Sequence, residues 1–122
     1  MSKRARKVLI IDDSAFMRSG LRAFMLRNDF EVVGEAKNGE EGIDLALELE
    51  PDIITLDNIL PDMTGLEVLK SLKKQNVASA IIMISAVGQQ SAIEEAKSHG
   101  ALEYLIKPYD EGILLEKMSL SH

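Results

Sequence analysis

Short apolar runs rich in β-branched residues recur along this chain and alternate with longer amphipathic stretches. Runs of this length are too short for helices and are typical of parallel strands buried on both faces. One of them, Phe30–Ala36, mixes polar with apolar positions, which suits an edge strand. The five runs are Val8–Ile11, Phe30–Ala36, Ile53–Leu56, Ala80–Ile84 and Leu102–Ile106.

Amphipathic patterns predict a helix after each of these strands. Residues that favour helix N-termini, or that stop helices, bound most of the patterns. The predicted helices run from Ser14 to about Asn28, from Asn38 to the residue before Pro51, onward from Thr64, over Gln90–Ser98 with a stop at Gly100, and onward from Asp110.

The first helix illustrates how the apolar stripe is assigned. Its apolar members Phe16, Leu21, Phe24 and Met25 are expected to lie near one stripe that faces the core. The arginines between and after them are expected to face water. These arginines are Arg18, Arg22 and Arg27.

Strand and helix therefore alternate five times within 122 residues. This alternation predicts one α/β domain over residues 1–122, with a doubly wound five-stranded parallel sheet and five helices on its two faces. The strand order 2-1-3-4-5 is not deduced from the sequence. It is taken from the flavodoxin-like examples of this class.

Composition excludes several classes of protein. Apolar residues make up 46 % and charged residues 28 % of the chain, which is ordinary for a soluble domain. The absence of cysteine excludes a disulfide framework, a thiolate zinc site and a cysteine nucleophile. No apolar run approaches the roughly 18 residues of a membrane span, and Val8–Ile11 is too short for the core of a signal peptide. We therefore expect a cytoplasmic protein.

Charge is distributed unevenly along the chain. The net charge of −6 argues against general affinity for nucleic acid. Residues 1–27 nevertheless hold seven Lys or Arg and only two acidic residues, Asp12 and Asp13. These two adjacent carboxylates follow a buried strand directly, which is difficult to explain by structure alone.

Polar residues end four of the five predicted strands. In an open parallel sheet, ligands bind beyond the carboxyl ends of the strands, so these side chains are expected to converge at one edge. The residues concerned are Asp12 and Asp13 after the first strand, Asp57 after the third, Ser85 at the end of the fourth and Lys107 after the fifth.

Three carboxylates placed together require compensation. Two unit charges about 4 Å apart repel by roughly 4 kcal/mol at an effective dielectric near 20, so the group must bind a cation or take up protons. Oxygen-only ligands favour a hard divalent ion, and we expect Mg²⁺ rather than Ca²⁺. A carboxylate can also act as a nucleophile and form an aspartyl phosphate, which makes phosphoryl transfer a candidate activity.

The ordered set of motifs resembles response-regulator receiver domains, and among them those of the chemotaxis type, over essentially the whole chain. Each motif is weak alone, but their order and separations are highly specific. The motifs are Asp12-Asp13, Leu56-Asp57, Leu60-Pro61-Asp62-Met63-Thr64-Gly65, Ile84-Ser85-Ala86 and Lys107-Pro108-Tyr109.

This resemblance implies a role for each site residue. Asp57 would accept the phosphoryl group, and Lys107 and Ser85 would contact it. Asp13, Asp57 and the main-chain carbonyl of Ile59 would bind Mg²⁺ directly, and Asp12 mainly through water. Ser85 and Tyr104 would act as the switch pair that moves on phosphorylation.

The resemblance also implies partners. The phosphoryl donor would be a histidine kinase of the CheA type, and the output partner would be the flagellar motor switch protein FliM. Output would come from a surface of the fourth helix, fifth strand and fifth helix. A phosphatase is a further expected partner, whereas nucleic acid and membrane are not. We expect a monomer, although the short last helix, with Gly112 in its first turn, leaves room for self-association.

The side chains that follow the acceptor and the hydroxyl residue bear on the lifetime of the phosphoryl group. Ile59 is two positions past Asp57, and Val87 is two positions past Ser85. Both are apolar and cannot orient an attacking water. They are expected to restrict access to the phosphoryl group and to slow its spontaneous hydrolysis.

Two alternatives remain open at this point. The chain could be a receiver excised from a longer response regulator, for example one that binds DNA. It could also be a small-molecule binder of flavodoxin-like architecture, although aromatic residues, which flavin sites need for stacking, make up only 4 % of the chain.

Overall fold

Five short strands form one parallel sheet in the computed structural model, which describes residues 5–120. Residues 1–4 of the basic segment, and positions 121–122, lie outside this range. The strands are ordered β2-β1-β3-β4-β5, so the expected order is confirmed and β2 is an edge strand. Their bounds are β1 (Lys7–Ile11), β2 (Glu31–Ala36), β3 (Ile53–Leu56), β4 (Ala80–Ser85) and β5 (Glu103–Ile106).

Five helices follow the strands, and four of them begin with the side-chain cap that the sequence predicts. Ser14, Asn38, Thr64 and Asp110 each accept a hydrogen bond from the backbone N–H three residues on. The fourth helix has no side-chain cap. The helices are α1 (Ala15–Arg27), α2 (Gly39–Leu49), α3 (Gly65–Lys74), α4 (Gln90–Ser98) and α5 (Glu111–Ser119). Within the described residues, no helix is long and apolar enough to cross a membrane.

The core is divided by the sheet into two layers, because successive strand side chains point to opposite faces. Leu9, Ile54 and Met83 pack with residues of α2, α3 and α4 on one face. Ile10 and Ile82 pack with residues of α1 and α5 on the other. Both faces are therefore covered by helices, as the near-continuous apolar strands predict.

The stripe predicted for α1 is wrong at two positions. Phe16 is 85 % exposed, because it lies five residues before buried Leu21 and thus about 140° around the helix from it. Arg18 was expected to face water, but its side chain is only 19 % exposed. It lies about 60° from Leu21, on the flank of the stripe.

Gly65, the first residue of α3, allows the chain after β3 to turn tightly. Its N–H donates to the carbonyl oxygen of Asn58 at 2.7 Å. A Cβ atom at this position would overlap the carbonyl oxygen of Asp57, a backbone atom that cannot move aside alone. Any larger residue must therefore displace the loop that follows Asp57.

We expect Gly65→Ala to lower the free energy of unfolding by about 1–3 kcal/mol, the usual cost of overpacking. The matched control is Gly20→Ala in α1, where an added Cβ would meet nothing within 4 Å. That change should stabilise the protein by up to about 1 kcal/mol, because alanine favours the helix. Urea denaturation of both variants measures the difference, and equal effects would contradict the steric argument.

Candidate functional site

Three carboxylates meet at the carboxyl ends of the two neighbouring strands β1 and β3. One oxygen from each of Asp12, Asp13 and Asp57 lies within 4.8 Å of the others. Backbone hydrogen bonds hold two of these residues in place. The N–H of Asp12 donates to the carbonyl of Ala36, and that of Asp57 to the carbonyl of Ile11, both at 3.0 Å. The predicted convergence of the acidic residues is thus present.

Lys107 joins this acidic cluster from the far edge of the sheet. Its Nζ lies 2.9 Å from Oδ2 of Asp12 and 3.2 Å from Oδ2 of Asp57. The lysine follows β5, which is separated from β3 by β4, so its long side chain crosses the end of β4. Its N–H donates to the carbonyl of Ser85 at 2.9 Å, and its bond to Pro108 is cis.

Burial and neighbouring charges shift the pKa values of Asp57 and Lys107. Asp12 is 2 % and Asp57 6 % exposed. Burial, and then repulsion by Asp12, raise the pKa of Asp57 despite the opposing attraction of Lys107. Burial lowers the pKa of Lys107, but its bonds and attraction to Asp12 and Asp57 outweigh that effect and leave the pKa raised. Asp57 is therefore a carboxylate that gains from a nearby cation.

The donor set fits Mg²⁺. It consists of oxygens only, and three carboxylates against one ammonium leave an excess of negative charge. Asp13 is exposed and has room to bind an ion from solvent. Both oxygens of Asp12 are already engaged, Oδ1 by the N–H of Ser14 and Oδ2 by Lys107. The water-mediated contact of Asp12 with the metal, which the resemblance implies, stays a prediction.

Ser85 and Tyr104 meet through the backbone of one residue, Val87. The Oγ of fully buried Ser85 accepts from the N–H of Val87 at 3.1 Å. The hydroxyl of Tyr104, which is 7 % exposed, donates to the carbonyl oxygen of Val87 at 2.5 Å. The side chains of Ser85 and Tyr104 thus bond to the N–H and to the carbonyl of the same residue.

The two expected access residues differ in exposure. Ile59 is 59 % exposed, and its N–H donates to Oδ1 of Asp57 at 3.3 Å. Val87 is half-buried. Both side chains follow site residues by two positions, and neither carries a polar group.

Two polar residues that the sequence motifs do not identify as functional, Asn58 and Asp62, support the loop after Asp57. The Asn58 side chain accepts from the N–H of Leu66 at 3.2 Å. The carboxylate of Asp62 accepts from the N–H groups of Gly39 and Glu40, at 2.7 and 2.9 Å, and these bonds lower its pKa. Asp62 thereby ties the loop to the start of α2. Its partners lie more than 20 residues away, so no local pattern could identify them.

Asp57→Asn should raise the melting temperature of the metal-free protein near neutral pH. The raised pKa means that the charged form of Asp57 is less favourable in the folded protein than in the unfolded chain, and the amide removes that cost. Calorimetric scans with and without Mg²⁺ provide the measurement. Mg²⁺ at about 100 times its Kd should stabilise the wild type by about 2.7 kcal/mol and the variant by less. A lower melting temperature for the metal-free variant would contradict the argument.

Comparison with known proteins agrees with this geometry. The profile of the response regulator receiver domain matches residues 8–119. The chemotaxis protein CheY of Bacillus subtilis is 39 % identical over 115 residues, which cover 94 % of this chain and 96 % of that protein. The nitrate/nitrite response regulator NarL of Escherichia coli is 38 % identical over 112 residues, which cover 91 % of this chain but only 52 % of NarL.

Solved structures show the same fold. A CheX-CheY-BeF3-Mg complex from Borrelia burgdorferi superposes with a TM-score of 0.89 at 30 % identity, covering 93 % of this chain and 86 % of the matched one. The profile match, the near full-length similarity to CheY and this superposition agree with one another. The chain therefore belongs to the response regulator receiver domain family and, within it, is similar to the chemotaxis protein CheY.

Proposed function

We propose that this chain is a phosphorylation switch in which Asp57 accepts a phosphoryl group from a histidine kinase in the presence of Mg²⁺. One observation carries the proposal: the Asp57 carboxylate lies within 4.8 Å of two other carboxylates and 3.2 Å from the Lys107 ammonium. The carboxylates suit a metal ion, and the ammonium suits the oxygens of a phosphoryl group. Asp57 lies between these two kinds of partner.

In the proposed reaction, a carboxylate oxygen of Asp57 attacks the phosphorus of a phosphohistidine. The new O–P bond forms as the P–N bond breaks, and the ring, protonated on its other nitrogen, leaves with the bonding electron pair as neutral imidazole. A bound Mg²⁺ would offset charge on the transferring group. Lys107 holds two carboxylates before the reaction and can turn one of its N–H donors to the phosphoryl oxygens. Such chemistry depends mainly on positioning and charge. Because Asp57 itself keeps the phosphoryl group, the protein acts as a switch that catalyses its own phosphorylation rather than as an enzyme with turnover.

The phosphoryl group would then draw Ser85 away from Val87. Loss of the Ser85–Val87 bond frees the backbone to which the Tyr104 hydroxyl is also bonded. The two residues are therefore expected to move together. Shifting such an equilibrium from 1:99 to 99:1 requires about 5.5 kcal/mol of differential stabilisation, which the charged group with Lys107 and Mg²⁺ must supply.

The proposed output is binding of a partner protein at the surface of α4, β5 and α5. Apolar side chains are exposed there, namely Leu102, Ile106 and Ile113. Similarity to CheY over nearly the whole of that protein favours a chemotaxis role, with a CheA-like kinase and a FliM-like motor switch protein as partners in the cytoplasm. The alternative, a receiver within a longer regulator, is favoured by the match to half of NarL.

Incubation with Mg²⁺ and a small phosphoryl donor, acetyl phosphate or phosphoramidate, should add one phosphoryl group. Intact-mass spectrometry measures the addition. Asp57→Ala should abolish it, and removal of Mg²⁺ by a chelator should do the same. Asp52→Ala is the matched control and should still be phosphorylated, because Asp52 precedes β3 at the opposite edge of the sheet and accepts from the N–H of Lys7. Phosphorylation of Asp57→Ala, or none of the wild type, would contradict the proposal.

Spontaneous loss of the phosphoryl group should be slow, because neither Ile59 nor Val87 can orient water. Combining Ile59→Asn with Val87→Glu introduces groups that can do so, and should accelerate dephosphorylation by at least roughly tenfold. Phosphate release after labelling provides the rate. Ile59→Leu with Val87→Ile keeps both positions apolar and should retain the wild-type rate. Equal rates in the polar and apolar variants would refute this account of the lifetime.

A further inference from the structure

Arg18 is the residue, missed by sequence analysis, that reaches the acidic cluster from α1. Its Nη1 donates to the main-chain carbonyl oxygen of Asp12 at 2.8 Å. Its Nε also lies 3.4 Å from Oε1 of Glu35 on the edge strand β2. The guanidinium thus joins three elements, α1, the end of β1 and β2, and its planar fork suits two simultaneous contacts.

The carbonyl that Arg18 holds belongs to the peptide group between Asp12 and Asp13. Orienting this peptide group therefore sets the direction in which the backbone presents Asp13. The other contacts of Asp12 hold its own N–H and carboxylate, through Ala36, Ser14 and Lys107. Asp13 itself is exposed, so packing does little to position its side chain.

We propose that Arg18 is a positioning residue for the metal site, which fixes the Asp12–Asp13 peptide group so that Asp13 is presented to Mg²⁺. This inference rests on the proposed function, because it assumes that the carboxylates bind the ion. Groups that orient metal ligands from outside the coordination shell typically change metal affinity by 10- to 100-fold when they are removed.

A positioning role and a simple charge effect predict changes of opposite sign in the affinity for Mg²⁺ when Arg18 is replaced. Arg18 carries a positive charge next to a cation site, so deleting the charge alone should strengthen Mg²⁺ binding. Loss of the hydrogen bond to Asp12 should weaken binding, because Asp13 is then no longer held. The sign of the change in affinity therefore separates the two effects.

Arg22 supplies a matched control within the same helix. Its Nη1 lies 2.9 Å from Oε2 of Glu35, the carboxylate that also pairs with Arg18. Replacing either arginine by methionine removes one positive charge and one partner of Glu35. Only Arg18 also donates to the carbonyl of Asp12.

The test is titration of the intact, unphosphorylated protein with Mg²⁺ by isothermal calorimetry at constant ionic strength. Arg18→Met should raise the Kd for Mg²⁺ by roughly tenfold, whereas Arg22→Met should stay within about twofold of the wild type. If Arg18→Met fails to fold, Arg18→Gln replaces it with the same expected result, because the shorter side chain cannot span Asp12 and Glu35.

A Kd for the Arg18 variant that matches the Arg22 variant, or that falls below the wild type, would overturn the inference. A lower melting temperature with unchanged affinity would also overturn it, since that pattern indicates a purely structural residue. If the wild type binds Mg²⁺ but the Arg18 variant gives one of these results, only the role of Arg18 is refuted and the proposed function stands. If the wild type does not bind Mg²⁺, both the role of Arg18 and the proposed function are refuted.

Discussion

The functional site depends on the burial of charged side chains where the apolar strands of the sheet reach their carboxyl ends. Asp12 and Asp57 are both nearly inaccessible, and carboxylates in that setting are stable only with compensating charge and hydrogen bonds. Lys107 supplies the charge from the far strand β5, and it reaches both. Compensation is incomplete, because three carboxylates face one ammonium. That deficit makes the site receptive to a cation.

Backbone hydrogen bonds hold Lys107 and the buried carboxylates in their relative positions. The ends of the strands are joined by main-chain hydrogen bonds from Asp12 to Ala36, from Asp57 to Ile11 and from Lys107 to Ser85. Each charged side chain therefore begins from a fixed point on the sheet. The loops add directional contacts, among them the two hydrogen bonds that join Ser85 and Tyr104 to the backbone of Val87. The proposed switch requires these two hydrogen bonds to break while the charged edge stays in place.

Local sequence signals predict the elements of the fold well. Four helix starts coincide with residues whose side chains cap helices, and the apolar runs are strands with two covered faces. The sequence predicts less well which side chains of a helix face the core and which face water. Phe16 is exposed and Arg18 is largely covered, because a helix start and its apolar content do not reveal which angular positions meet the sheet. The supporting role of Asp62 depends on partners more than 20 residues away in the sequence, Gly39 and Glu40.

The sequence by itself determined which chemistry is available: oxygen ligands, one ammonium and a hydroxyl at strand ends, without thiols. It determined their common edge as well, because parallel strands all finish on the same side of a sheet. Only the tertiary structure decided how these groups are paired. It placed Lys107 between Asp12 and Asp57, joined Ser85 with Tyr104 through Val87, and brought Arg18 to the Asp12 carbonyl. Such pairings require distances of a few ångströms between segments far apart in the chain, and these distances are set by packing.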